Sequence, residues 1–291
     1  MSVIVGELHL ATLIKFKQMK KNNFNFLRFP KHLMIAFTLL FLVTALFPSY
    51  SNNPGSIPEP TLEGKKVLFV YGGWEGHDPI ESSILFVPWM RSEGAEVTVS
   101  NTLDSYLDEK LMESLDLIVQ IWTMGKISNE QETALLDAIK RGVGIAGWHG
   151  GLADSFRNNV KYQFMVGGQW VAHPGGVIDY EVNITDKKDP VTKGLKDFAM
   201  RSEQYYMHVD PNVKVMATTT FSDEHADWID GCTMPVVWKK YFGKGRVFYS
   251  SLGHVIADFD VPEVLEIQKR GIRWASESKY HPFEEWRNPK Y

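Results

Sequence analysis

Cysteine is almost absent: Cys232 is the only one in 291 residues. A disulfide within the chain is therefore excluded, a condition that an oxidising compartment tolerates. Cys232 lies in IDGCTMP, where nothing marks an activated thiol, so it reads as structural. An excess of charge is also missing. A net charge of −4 gives no electrostatic footprint for nucleic acid or an anionic membrane surface. Repeats and low-complexity tracts are lacking. Long apolar runs are lacking too, for Leu33 to Phe47 (LMIAFTLLFLVTALF) spans about 15 residues where a membrane helix needs about 20. That length suits the apolar region of a signal peptide, and Lys20, Lys21, Arg28 and Lys31 precede it. No cysteine closely follows, which excludes a lipoprotein anchor.

Residues 1–48 therefore read as a signal peptide region, and 49–64, rich in Pro, Ser and Asn, as a linker. The expectation is an exported, periplasmic protein; an uncleaved N-terminal membrane anchor is the alternative. Order should begin near Lys65. One α/β domain is expected over 65–278, followed by a C-terminal tail at 279–291.

What is present is a hydrophobic fraction of 44% and a surplus of 9 Trp and 11 Tyr. Such aromatics fill cores, and their flat faces also stack on sugar rings. Apolar runs of strand length at Lys66–Tyr71, Glu96–Ser100, Asp116–Trp122 and Val143–Trp148 alternate with helical periodicity at Ile80–Glu93, Asp104–Leu115 and Ser128–Arg141. Ser128 and Gln131 have capping-box spacing, and Gly142 stops that helix. The pattern predicts a doubly wound, mostly parallel sheet covered on both faces. The second half is strand-rich, at Val177–Ile184, Arg201–His208, Val213–Thr218, Pro235–Tyr241 and Arg246–Ser251. Gly243-Lys244-Gly245 marks a hairpin, and Val261–Ser276 a closing helix.

Ligands of open parallel sheets bind beyond the carboxyl ends of the strands. Gly72-Gly73-Trp74-Glu75-Gly76-His77-Asp78 follows the first strand and lacks the G-x-G-x-x-G fingerprint of a dinucleotide site. Gly147-Trp148-His149-Gly150-Gly151 follows the fourth strand and has the spacing of a nucleophile elbow, with histidine at its apex. An acyl-enzyme nucleophile is thus missing there. Acid/base work, metal ligation or a substrate hydrogen bond remains for His149. As a turn residue it is expected to contribute little to core burial.

The sequence resembles the ThuA (trehalose utilisation) family. The similar stretches are VLFVYGGWEGHD (67–78), GIAGWHGG (144–151), GGQWVAHP (167–174), TDKKDPVTKGL (185–195), SEQYY (202–206) and the segment to His254 that ends in GKGRVFYSSLGH. The resemblance covers about residues 65–278. Asp189 before Pro190 departs from it, since the family often has His-Pro there. It implies a flavodoxin-like, class I glutamine amidotransferase-like fold and a role in carbohydrate metabolism beside sugar oxidoreductases. By it His149 matches the elbow, His254 falls near an amidotransferase's triad histidine, and Glu203 and Tyr205 match a Glu-x-Tyr motif.

The site expected on these grounds has His149, His254 and Glu203 as catalytic residues. His77, Trp74, Trp148, Tyr205 and His173 would bind substrate, the aromatics by stacking. His77, His149 and His254 are candidate ligands for a divalent metal such as zinc, because borderline metals take imidazole and carboxylate donors. His208 is a weaker candidate, and His225 reads as solvated. The expected function is sugar or keto-sugar chemistry (hydrolysis, elimination or isomerisation) without amidotransferase activity; the alternative is a non-catalytic sugar-binding protein. The expected partner is a small carbohydrate, with no nucleic acid, and with the membrane met only through the signal segment. The oligomeric state stays open, a homo-oligomer included.

Overall fold

The computed structural model describes residues 60–287. The signal region at 1–48, most of the linker and residues 288–291 lie outside them. Among the described residues no helix is long and apolar enough to cross a membrane.

The chain alternates β1 (Lys66–Gly73), α1 (Pro79–Ser92), β2 (Glu96–Ser100), α2 (Glu109–Ser114), β3 (Leu117–Thr123), α3 (Asn129–Arg141) and β4 (Gly144–Trp148). The short helices α4 (Gly150–Ala153) and α5 (Val160–Val166) follow, then β5 (Gly168–Ala172), β6 (Val177–Ile184), β7 (Phe198–Glu203), β8 (Tyr206–Val209) and β9 (Lys214–Thr220). The hairpin of β10 (Thr233–Phe242) and β11 (Gly245–Ser250) precedes the closing helix α6 (Pro262–Ser276). A nine-stranded sheet has the order β2-β1-β3-β4-β11-β10-β9-β6-β7. From β2 to β11 the strands run parallel, in the flavodoxin-like order; β10, β9, β6 and β7 continue it antiparallel. β5 and β8 form a separate antiparallel pair.

Burial explains the unbroken apolar runs. Val67 and Phe69 pack with Phe86, Met90 and Ile267 on one face, while Leu68 and Val70 pack with Met112, Leu135 and Ile139 on the other. Both faces are dry, so alternation disappears from the sequence. Each such side chain contributes about 1.5–3 kcal/mol of burial. α3 carries the expected capping box, Gln131 N–H donating to Ser128 Oγ at 3.2 Å and Ser128 N–H to Gln131 Oε1 at 2.9 Å.

Two boundaries differ from the sequence reading. The helix expected over Asp104–Leu115 is a 3-10 turn (Leu103–Leu107) and α2, separated because extended Asp108 caps α2 by accepting from Leu111 N–H at 3.0 Å. The strand expected over Arg201–His208 is two strands in different sheets. The chain leaves the large sheet at Gln204, whose amide donates to Thr219 Oγ1 at 2.7 Å. Ahead of β1, Leu62 is fully buried in the core. The tail is docked as far as it is described: Tyr280 Oη donates to Asp116 Oδ1 at 2.8 Å, and Trp286 packs on Tyr241 and Trp274.

Asp189 turns out to anchor a loop. Its buried carboxylate accepts from Lys239 Nζ at 2.6 Å, Lys214 Nζ at 2.7 Å and Val191 N–H at 2.9 Å.

Candidate functional site

The carboxyl ends of β1, β3, β4 and β11 meet at one edge of the sheet. His77 sits in a 3-10 turn after β1 (Glu75–His77), buried, with Nδ1 2.9 Å from the Thr123 hydroxyl at the end of β3. His149 follows β4 at φ 47° and ψ −138°, a conformation that side chains rarely adopt. Its amide donates to Ser250 O at 2.7 Å and its carbonyl accepts from Tyr249 Oη at 3.2 Å, which holds the strained turn. Gly150 is required next, because a Cβ there would lie 2.5 Å from the His77 ring. His254 follows β11, its amide donating to Asp258 Oδ2 at 2.9 Å. The same carboxylate oxygen accepts from Ser202 Oγ at 2.6 Å, tying the His254 loop to the residue before Glu203.

Strain marks this edge independently of the histidines. Among the described residues, the non-glycine positions with positive φ are Asp78, Met124, His149 and Phe156. The first three follow β1, β3 and β4, and Phe156 N–H donates to Met124 O at 3.2 Å. Such backbone persists only where its surroundings over-determine it, and it concentrates at functional sites.

Glu203 is the hub. Its carboxylate lies 3.1 Å from His149 Nε2, 3.7 Å from both His173 Nε2 and His254 Nε2, and 4.0 Å from His77 Nε2. The rings of His77 and His149 are 4.6 Å apart, and each lies 5.2 Å from His254. His149 Nδ1 is 2.7 Å from Ser251 O, a pure acceptor, so Nδ1 donates. The Nε2 contact with the carboxylate then needs a proton between the two groups. Burial works against ionising Glu203, but the His149 hydrogen bond and attraction to the surrounding imidazoles hold its pKa at about 2. Burial, then repulsion from His149 and His254, pulls His77 down to about 2. His77 is therefore a neutral imidazole. In the tautomer that donates from Nδ1 to Thr123, its Nε2 presents a lone pair to the centre. His254 is lowered by burial first and by His149 second.

One donor from each of His77, Glu203 and His254 lies within 4.8 Å of the others. The set differs from the expected His77, His149 and His254. Glu203 takes the place of His149, whose nitrogens are engaged by Ser251 and Glu203. Two imidazoles and a carboxylate, with Thr123 orienting His77, are a donor set that zinc accepts.

Two aromatic expectations need correction. Trp148 is buried in the core against Phe86 and Phe259, at 4.6 and 5.5 Å, so it presents no face to a ligand. Tyr205 is covered by His149 at 3.9 Å and flanked by His173 at 6.3 Å and Trp170 at 6.2 Å. Buried in this way it offers no open stacking surface, and burial keeps its hydroxyl protonated. Trp74 is 47% exposed and meets His77 edge-on at 4.7 Å, so it remains available for stacking. The expectation that His149 is peripheral to the core also fails, for it is 1% exposed. His173 joins the cluster at its solvent side; His208 and His225 are exposed and stand outside it. Two surface grooves, of about 750 and 390 Å³, lie elsewhere, around Tyr106 and Asp137 and around Gly125 and Asn159.

Thr123, Ser251 and Asp258 escaped the sequence reading. Thr123 ends β3, so the strand-end rule that selected His77 could have found it. No sequence signal marks Asp258.

The sequence model of the ThuA family, described as trehalose utilisation, matches residues 66–275. The fold is similar to a ThuA-like protein from Bacteroides uniformis, with a TM-score of 0.62 and 15% identity over 77% of this chain and 95% of that one. A ThuA-like protein from Parabacteroides merdae gives a TM-score of 0.60 and 17% identity, covering 77% and 94%. At these identities the likeness concerns the fold. No curated protein matches the sequence significantly.

Proposed function

Because the chain belongs to the ThuA family, which supports a carbohydrate-related role, we propose that it is an enzyme acting on a sugar or keto-sugar derivative at the Glu203 centre. The observation that carries this reading is the convergence of His77, His149, His173 and His254 on one buried carboxylate. A core that needed only stability would gain little from gathering so many ionisable groups, since each must be desolvated. Here Thr123 orients His77, Ser251 orients His149, and His149 is held on strained backbone.

The roles follow from the partners. His149 and Glu203 share a proton across Nε2 and Oε2, which suits them to move a proton at a sugar carbonyl or hydroxyl. Ser251 fixes the His149 tautomer and ring orientation. Trp74 provides an exposed flat face beside His77. A divalent metal such as zinc would be held by His77, His254 and Glu203, and would polarise a sugar oxygen as a Lewis acid. With histidine at the elbow apex, amidotransferase chemistry has no nucleophile there.

The test is turnover of a panel of glucosides and disaccharides, native and oxidised to keto-sugars, by the wild-type protein and Glu203→Gln. The reading expects conversion by the wild type and a loss of at least 100-fold in the variant, the scale of an acid/base group. Wild-type protein that binds sugars yet returns them unchanged would make it a sugar-binding protein.

We propose export to the periplasm on the strength of the apolar run 33–47 and its basic flank. Mass spectrometry of native protein should then find an N-terminus between Phe47 and Pro60. An intact N-terminus in the membrane fraction would mean an anchor instead.

A further inference from the structure

We infer that Arg157, Asp154 and Trp170 form a wall beside the Glu203 centre that binds the hydroxyl or carbonyl oxygens of a neutral sugar unit. The inference rests on the sugar-directed reading above and specifies how the ligand is held. Asp154 caps α4, the helix that starts at His149, and its carboxylate is buried. Arg157 grips it in a bidentate fork, Nε to Oδ1 at 2.6 Å and Nη2 to Oδ2 at 2.7 Å. The guanidinium also lies 4.5 Å from the centre of the Trp170 ring. A long, flexible side chain is thereby fixed in one pose, yet 41% of it is exposed. The donors that Asp154 does not use remain available to a ligand.

The wall is continuous with the centre. Trp170 lies 5.6 Å from the His173 ring, and His173 Nε2 is 3.7 Å from Glu203. The backbone beneath it is over-determined: Met124 N–H donates to Asp154 O at 2.9 Å, and positive-φ Phe156, immediately before Arg157, donates to Met124 O. Trp170 Nε1 and His173 Nδ1 are both buried without a hydrogen-bond partner.

Charge selects the ligand. The free Arg157 N–H groups are donors while the Trp170 indole N–H is enclosed, so the ligand must bring acceptors to Arg157. Asp154 already balances the Arg157 charge, and the Glu203 carboxylate stands behind His173. An anion would gain little attraction from the neutralised pair and would meet that carboxylate. Neutral oxygens of a polyol or keto-sugar fit the donors without this cost.

The experiment measures binding of trehalose, glucose, glucuronate and glucose 6-phosphate to the full-length protein by calorimetry and ligand-observed NMR. Trp170→Phe shrinks the ring that braces the guanidinium; Arg157→Ala removes the fork; Arg157→Lys keeps the charge and loses the bidentate geometry. We expect a neutral sugar to bind, and each variant to raise its Kd at least fivefold; Trp170→Phe should melt within a few degrees of wild type, and Arg157→Ala lower, because it strands the buried Asp154 carboxylate. If Arg157→Ala fails to fold, Arg157→Lys and Trp170→Phe carry the test. Unchanged affinity in the folded variants would overturn the inference. So would tighter binding of the anionic sugars, or no binding of either neutral sugar by the wild type. Failure of the enzymatic reading looks different: the bound sugar would be recovered unchanged while the variants still weaken its binding.

Discussion

His149 Nε2 and Glu203 Oε2 are 3.1 Å apart although 54 positions separate the two residues in the chain. The contact joins the parallel half of the sheet to its antiparallel extension. His149 sits at the end of β4, and Glu203 at the end of β7, the last strand in the sheet order. Each half of the domain therefore contributes one partner of the central pair.

Removing one partner strands the other. His149→Ala leaves a buried carboxylate and the Ser251 carbonyl without their donor, a loss of about 1–3 kcal/mol for each buried group. Urea denaturation should show a lowered midpoint with an unchanged slope. A midpoint equal to wild type would mean that the hydrogen bonds contribute nothing net.

The donor set can be tested through a residue outside it. Thr123→Val removes the partner of His77 Nδ1 and preserves shape. Competition with a chromophoric chelator should show zinc affinity reduced by about 10–100-fold, as outer-sphere partners of ligating histidines commonly do. His77→Ala and His254→Ala should weaken binding further. Equal affinity in all three variants would remove the metal from the proposal.

Acid should destabilise the chelator-treated protein, and the sign follows from His77. Its folded pKa of about 2 lies below the ordinary 6.5, so the unfolded chain binds a proton that the folded one does not. The contribution is complete above pH 6.5 and is lost as pH falls toward 2. Glu203, depressed from 4.5 to about 2, adds a second loss below pH 4.5. Between pH 6.5 and 5.5 the first effect costs about 1 kcal/mol, or about 2–4 °C in Tm. Calorimetry across this range should show that slope in wild type and a shallower one in His77→Gln.

Trp148 should behave as core. Trp148→Ala is expected to cost about 3–5 kcal/mol by opening a cavity against Phe86 and Phe259. Trp148→Phe should recover much of that loss and keep turnover. A Trp148→Ala protein as stable as wild type but unable to bind sugar would restore Trp148 as a ligand contact.

The sequence by itself determined what depends on neighbours along the chain. The strands from Lys66, Asp116 and Val143 were legible because both of their faces are buried and their apolar runs are unbroken. The α3 capping box and the β10–β11 hairpin were legible because their hydrogen bonds close within a few residues. The strand-end rule placed His77, His149 and His254 at one edge. Tertiary structure decided the rest. In a strand buried on both faces periodicity cannot say which way a residue points, so it could not reveal that Trp148 faces the core and not the site. Tyr205 is buried against His149, distant in sequence, so only packing could show that it has no open stacking face. Arg157 belongs beside the centre through its ring contact with Trp170 and its fork to Asp154. The role of Glu203 as the hub depends on how the antiparallel extension carries β7 to the parallel edge, a long-range pairing that no local signal encodes.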